Sequence, residues 1–104
     1  MVVNRRTFMV NKPYFDEAIG LLGEYRRMVH EVHPESVMRI YAIAYGTFDT
    51  VAAEWESESV TTLEQQLGAV LNNPQIAERF ATGFKRWQEI TVPGGTNEVW
   101  RLVS

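Results

Sequence analysis

Nine consecutive residues, VMRIYAIAY from Val37 to Tyr45, carry a single charge. Their β-branched and aromatic content marks a strand. As a strand the stretch is apolar on both faces: Met38, Ile40, Ala42 and Ala44 point one way, and Val37, Tyr41, Ile43 and Tyr45 the other. The chain has 104 residues. That is one domain, 1–104, with material to cover one face of a sheet. The second face needs another cover, and this requirement constrains fold and assembly more than any other feature of the chain.

The flanking segments supply the remaining elements. VVNRRTFMVN, residues 2–11, lacks helix formers and reads as a first strand, ended by Lys12-Pro13. Pro13 suits a first helical turn, and Asp16 and Glu17 follow where the helix dipole favours anions. Phe15, Ala18, Leu22, Tyr25, Val29 and Val32 then recur at spacings of three and four, predicting a helix to about His33, before Pro34. Gly46-Thr47-Phe48-Asp49 is a short turn, so TVAAEWESES folds back as the second arm of a hairpin. Its alternation sets Val51, Ala53, Trp55 and Ser57 against Ala52, Glu54, Glu56 and Glu58. Leu63, Leu67, Val70 and Leu71 form one helical stripe, and Ile76, Ala77, Phe80, Phe84 and Trp87 another. Two helices, or one kinked at Pro74, fit that pattern. Pro93-Gly94-Gly95 reads as a turn and NEVWRLV, 97–103, as the last strand.

The order β-α-β-β-α-β is the ferredoxin-like α+β plan, an antiparallel sheet of strand order 4-1-3-2 with its helices on one side. The bare face would then expose several hundred Å² of apolar surface, a size that marks interfaces. At about 25 cal/mol per Å², leaving roughly 400 Å² wet forgoes on the order of 10 kcal/mol, which rivals the net stability of a domain. The economical cover is a second copy of the same sheet, giving a homodimer or a higher oligomer.

Composition narrows the chemistry. There is no cysteine, which excludes disulfides, thiolate metal sites and cysteine nucleophiles. A net charge of −3 argues against general affinity for nucleic acid or anionic membrane. The start has no apolar signal-like region, and no apolar run approaches the roughly 20 residues of a membrane span, so the expectation is a cytoplasmic protein. No cofactor is expected. His30 and His33 are three apart, a spacing that could present two imidazoles to a metal. No third ligand is identifiable, no metal site is assigned, and a position in the last helical turn also suits histidine as a dipole complement. Tyr25-Arg26-Arg27 and Lys85-Arg86-Trp87 read as solvent faces.

Arg6-Thr7-Phe8, followed by Asn11-Lys12-Pro13 leading into a helix, resembles the opening strand of the NIPSNAP family, typically Arg-Thr-Tyr and then Lys-Pro-Gly. The resemblance continues through the hairpin YAIAYGTFDTVAAEWESES, the asparagine-proline helix, the Gly-Gly turn and EVWRLV, and so spans nearly the whole chain. Phe8 stands where the family usually has Tyr, which removes a hydroxyl and any role that depends on it; Tyr14 stands where Gly is frequent. The resemblance implies a dimeric α/β barrel, two sheets face to face with a cavity between them. Relatives of that barrel include cofactor-free monooxygenases, haem-degrading enzymes and isomerases. The family has no agreed catalytic residues to carry over, and fold analogy supplies no function.

If the second strand presents Arg39, Tyr41 and Tyr45 to the barrel interior, and Trp55 faces the helices, then Glu54 and Glu56 face inward as well. By analogy with the family's Arg and Tyr, Arg6 and Phe8 fall on that same side, although alternation alone leaves the inward face of the first and last strands open. Such a lining could bind a small aromatic or carboxylated ligand, or its charges could simply pair with one another, as buried charges must. Glu54 and Glu56 could do acid–base work if desolvated, and His33 could reach the cavity mouth as a base. The expectation is a small-ligand-binding or assembly module. The alternative is a cofactor-independent monooxygenase or isomerase, with Arg39, Tyr41 and Glu54 orienting a substrate and Tyr45 or His33 handling a proton.

Overall fold

A computed structural model describes residues 1–46 and 49–104. Its elements are β1 (Val2–Val10), a single 3-10 turn (Lys12–Tyr14), α1 (Phe15–Val32), β2 (Val37–Ala42), β3 (Thr50–Ser57), α2 (Val60–Leu71), α3 (Pro74–Ile90) and β4 (Thr91–Arg101). The four strands form one antiparallel sheet of order β2-β3-β1-β4, the expected 4-1-3-2 read from the other edge. No helix is long and apolar enough to cross a membrane among the described residues.

The three α-helices among the described residues lie against one face. Met38 of β2, Trp55 of β3, Met28 and Val29 of α1, Leu63 and Val70 of α2 and Ile76 of α3 make one buried cluster. Val10, Val51, Ala18, Leu22 and Ile90 make a second. Trp55 keeps its polar edge satisfied by donating Nε1–H to Gln66 Oε1 of α2 at 3.1 Å. The helical stripe past residue 60 is two helices, because both ends are capped between them. Asn72 N–H bonds the Gly68 carbonyl at 2.9 Å, and Asn73 Oδ1 accepts from the backbone of Gln75 and Ile76 to start α3. Arg86 of α3 holds Glu17 of α1 through Nη2–Oε1 at 2.9 Å and a second contact from Nε, while its guanidinium sits 5.1 Å from the Tyr14 ring. So Lys85-Arg86-Trp87 is not simply a solvent face: Trp87 packs edge-on to Phe8 of β1, with ring centres 4.9 Å apart.

Two strand boundaries differ from expectation. β2 stops at Ala42, so Ile43, Ala44 and Tyr45 lie beyond the strand; Thr47 and Phe48 of the anticipated hairpin turn fall outside the described residues. Pro93-Gly94-Gly95 is not a turn but a bulge inside β4. Thr7 pairs Thr96 and Met9 pairs Val92, so three residues of β4 stand opposite Phe8 alone. Glycine is required there: Gly94 has φ +128°, and a Cβ on Gly95 would lie 2.2 Å from the Thr7 carbonyl oxygen.

Candidate functional site

Strand pairing places residues of the uncovered face in rows. In one row Arg39 of β2 stands opposite Glu54 of β3, Glu54 opposite Arg5 of β1, and Arg5 opposite Glu98 of β4. The charges thus alternate across the whole width of the sheet. Glu54 is the hub, its side chain only 7% exposed. Arg5 donates to its Oε2 from Nε at 2.8 Å and also from Nη2. The Tyr41 hydroxyl donates to Oε1 at 3.2 Å, and Arg39 Nη1 lies 3.6 Å from the same oxygen. Arg39 also donates from Nη2 to Glu56 Oε2 at 3.1 Å. The Glu54 carboxylate, by hydrogen bond first and by charge second, pushes the Arg5 guanidinium above its ordinary value. The face therefore holds Glu54 as a buried anion without leaving it unpaired.

The flanking rows are apolar or neutral except at Glu56, which is paired with Arg39. Val37, Glu56, Val3 and Trp100 form one, and Tyr41, Ala52, Thr7 and Thr96 another, with the two threonine hydroxyls 2.7 Å apart. Beyond the threonines, Ile43 bonds Thr50 through its backbone, Thr50 pairs Met9, and Met9 pairs Val92. Val37, Tyr41, Ile43, Val92 and Trp100 are all more than one-third exposed, Trp100 at 55%. These large apolar groups surround the charged row on a sheet face that no helix among the described residues covers.

Arg39, Tyr41, Glu54 and Glu56 do share this face, as the alternation of β2 and β3 implied. Arg6 and Phe8 do not. They pair with Ala53 and Val51, whose side belongs to the helices; Phe8 contacts Trp87, and Arg6 borders a recess beneath α1. The parity of β1 is set by burying Val2, Phe8 and Val10 under helices, and this turns Arg5 to the open face in place of Arg6. Tyr45, past the end of β2, is 96% exposed and belongs to neither buried cluster of the described residues. His33 caps α1, its N–H bonded to the Val29 carbonyl at 2.8 Å and its Nδ1 3.5 Å from Glu35 Oε1. It stands apart from the charged row, and its Nε2 is buried with no hydrogen-bond partner among the described residues. No group of residues that could hold a metal ion occurs among those described.

Arg5, Glu98, Thr96 and Trp100 were missed in the sequence. Each belongs to β1 or β4, where both parities mix apolar and polar residues; the clue was that Arg5 and Glu98 complete an alternating charge row once the register is known. The recess beneath α1, whose lining includes Arg6, Tyr25, Met38, Trp55 and also part of Glu54, has a volume of about 30 Å³, room for a water or two and for no organic substrate. Burial pushes the Tyr25 phenol up, and the nearby Arg6 charge offsets this in part.

No family sequence model matches the chain, and no curated protein matches it by sequence. Solved structures do match. An uncharacterised NIPSNAP domain protein from Burkholderia xenovorans superposes with TM-score 0.79 at 13% identity, over 100% of this chain and 96% of that one. A NIPSNAP family protein from Agrobacterium tumefaciens superposes with TM-score 0.76 at 13% identity, over 98% and 92%. An antibiotic biosynthesis monooxygenase superposes with TM-score 0.64 at 13% identity, over the full length of both chains. The chain therefore has the ferredoxin-like α+β fold of the NIPSNAP-domain structures, a fold that an antibiotic biosynthesis monooxygenase shares.

Proposed function

We propose that this chain is a NIPSNAP-like assembly or small-ligand-binding module of the cytoplasm, built as a homodimeric barrel in which a second copy covers the open sheet face. One observation carries the reading: a buried, fully paired carboxylate, Glu54, sits at the centre of a sheet face whose charged row is flanked by exposed large apolar groups. A solvated face gains little from either feature. A face closed by a partner needs both, since its charges must pair and its apolar groups must find cover.

A cofactor-independent monooxygenase or isomerase is the second reading, favoured by the shared fold with the monooxygenase structure. The charge pairing speaks against it. Arg39, Tyr41 and Glu54 are committed to one another, which leaves none of these three free to orient a substrate or move a proton.

The test is the mass of the native protein by sedimentation equilibrium at micromolar concentration, beside Trp100→Glu. A dimer that dissociates on placing a charge at this exposed apolar site is the expected result. A wild-type monomer would overturn the proposal. For the ligand half, thermal-shift screening with aromatic acids, quinones, lipids and haem is read against Arg39→Ala; stabilisation that survives the substitution removes Arg39 from the binding site.

A further inference from the structure

Two polar side chains at the recess beneath α1 have no partner. Arg6 of β1 and Tyr25 of α1 both line it. Arg6 is exposed, and among the described residues its guanidinium meets no carboxylate and the Tyr25 hydroxyl makes no hydrogen bond. Arg5, Arg27, Arg39, Arg79 and Arg86, by contrast, each hold a carboxylate. We propose that Arg6 and Tyr25 form a ligand site on the helix side of the sheet, away from the charged row, that takes the carboxylate of a small aryl acid. The site lies within one chain, so it goes beyond the homodimer reading and does not rest on it.

Both groups are donors toward such a ligand. A guanidinium offers a planar fork of N–H groups and no acceptor, a shape that the two oxygens of a carboxylate match. Burial pushes the Tyr25 phenol up, which keeps its O–H as a donor at neutral pH, and the Arg6 charge is felt there. The recess supplies no anion of its own. Glu54 contributes to the lining, but its carboxylate is held by Arg5 and Tyr41 on the other face. Asn4, also in the lining, donates its Nδ2 to Asn97 Oδ1 at 2.8 Å and to the Glu98 carbonyl at 3.0 Å. Met38, Trp55 and Leu67 make the remaining walls apolar. Beside walls of that kind an ion pair is screened less than in open water.

Size and surroundings set the rest of the ligand. About 30 Å³ admits a carboxylate head and not a whole molecule, so the body must lie outside, against what borders the recess. That border is aromatic. The Tyr25 ring centre is 5.6 Å from that of Phe80 on α3, and Phe80 stacks on Phe84 at 5.7 Å with the planes 12° apart. Phe84 ends this ladder 45% exposed. On the strand side none of the residues of β4 is buried, and Val99, paired with Asn4, is 51% exposed. A flat aryl body suits these surroundings better than an alkyl chain, because ring–ring contact adds to the burial of area.

The test is an NMR titration of the isotope-labelled native protein with naphthoate, beside naphthylmethanol, octanoate and inorganic phosphate. The expected result is saturable shifts at the Arg6 side-chain N–H and at the amides around Tyr25 and Phe80. Naphthoate binding should weaken about tenfold in Arg6→Gln and about threefold in Tyr25→Phe, and stay unchanged in Arg39→Gln. Naphthylmethanol binding as tightly as naphthoate would overturn the ion pair. Octanoate or phosphate binding as tightly would overturn the aryl body. No saturable shift at millimolar naphthoate, or shifts confined to β2 and β3 and lost in Arg39→Gln, would overturn the site. Arg6→Gln gives up no ion pair within the chain; should it fold poorly, Arg6→Lys keeps the charge without the fork, and undiminished binding there would overturn the forked contact. A monomer by sedimentation would remove the dimer and leave this test unaffected.

Discussion

Replacing Glu54 by alanine removes the hub of the charged row. Truncating one member of a fully buried ion pair costs about 3–5 kcal/mol, because the survivor is left buried and unpaired. Within a single subunit the survivors have an escape: the Arg5 and Arg39 side chains are 47% and 46% exposed and can rehydrate once the covering copy has left. Half-exposed pairs are worth about 1 kcal/mol each after solvent screening. Two such pairs, with a long hydrogen bond from Tyr41 adding little, make the expected cost of Glu54→Ala about 2 kcal/mol. In a domain of this size that lowers Tm by about 10 °C. Urea unfolding followed by tryptophan fluorescence reads the change, since Trp55 is buried one residue along β3. All variants are compared at one protein concentration, because association contributes to apparent stability. Glu56→Ala is the control; that side chain accepts one bond from Arg39, is 26% exposed, and should cost about 0.5 kcal/mol. Equal destabilisation by the two substitutions would refute the argument that Glu54 is the buried centre of the row.

Three further outcomes are expected. Tyr25 has its phenol raised by burial from an ordinary value of 10.0, so its contribution to stability is complete below about pH 10 and is lost as pH rises toward the folded value; the alkaline fall in urea midpoint should be shallower in Tyr25→Phe. Glu17 is lowered by its hydrogen bonds from Arg86, so its contribution is present above the usual carboxylate range and lost as pH falls through the folded value; an NMR titration should place its carboxyl below 4.5 in the native protein and return it toward 4.5 in Arg86→Gln. Gly95→Ala drives a Cβ into the Thr7 carbonyl, and should either lower Tm by more than about 10 °C or shift the β1–β4 register, which amide exchange along β4 would reveal.

The amphipathic elements were legible because their periodicity is local. Ala18, Leu22 and Val29 are buried at the positions the helical spacing marks, and the alternation of β3 placed Trp55 with the helices and Glu54 and Glu56 opposite. The Pro93-Gly94-Gly95 segment was misread because proline and paired glycines carry the same local signal in a turn and in a bulge; only the pairing of β4 with β1 on both sides of it separates the two. Tyr45 lies past Ala42, where β2 ends, so the alternation of the strand does not extend to it.

What the sequence determined by itself was the element order and the existence of a sheet with large apolar groups on both sides. Each follows from composition and spacing along a continuous stretch of chain. Only the tertiary structure decided which arginine of the Arg5-Arg6 pair looks outward, because β1 has apolar residues at both parities and its orientation is settled by which set fills the space beneath α1 and α3. The same holds for the charged row. Its four members come from four strands and are distant in sequence, and they become neighbours through the sheet register alone.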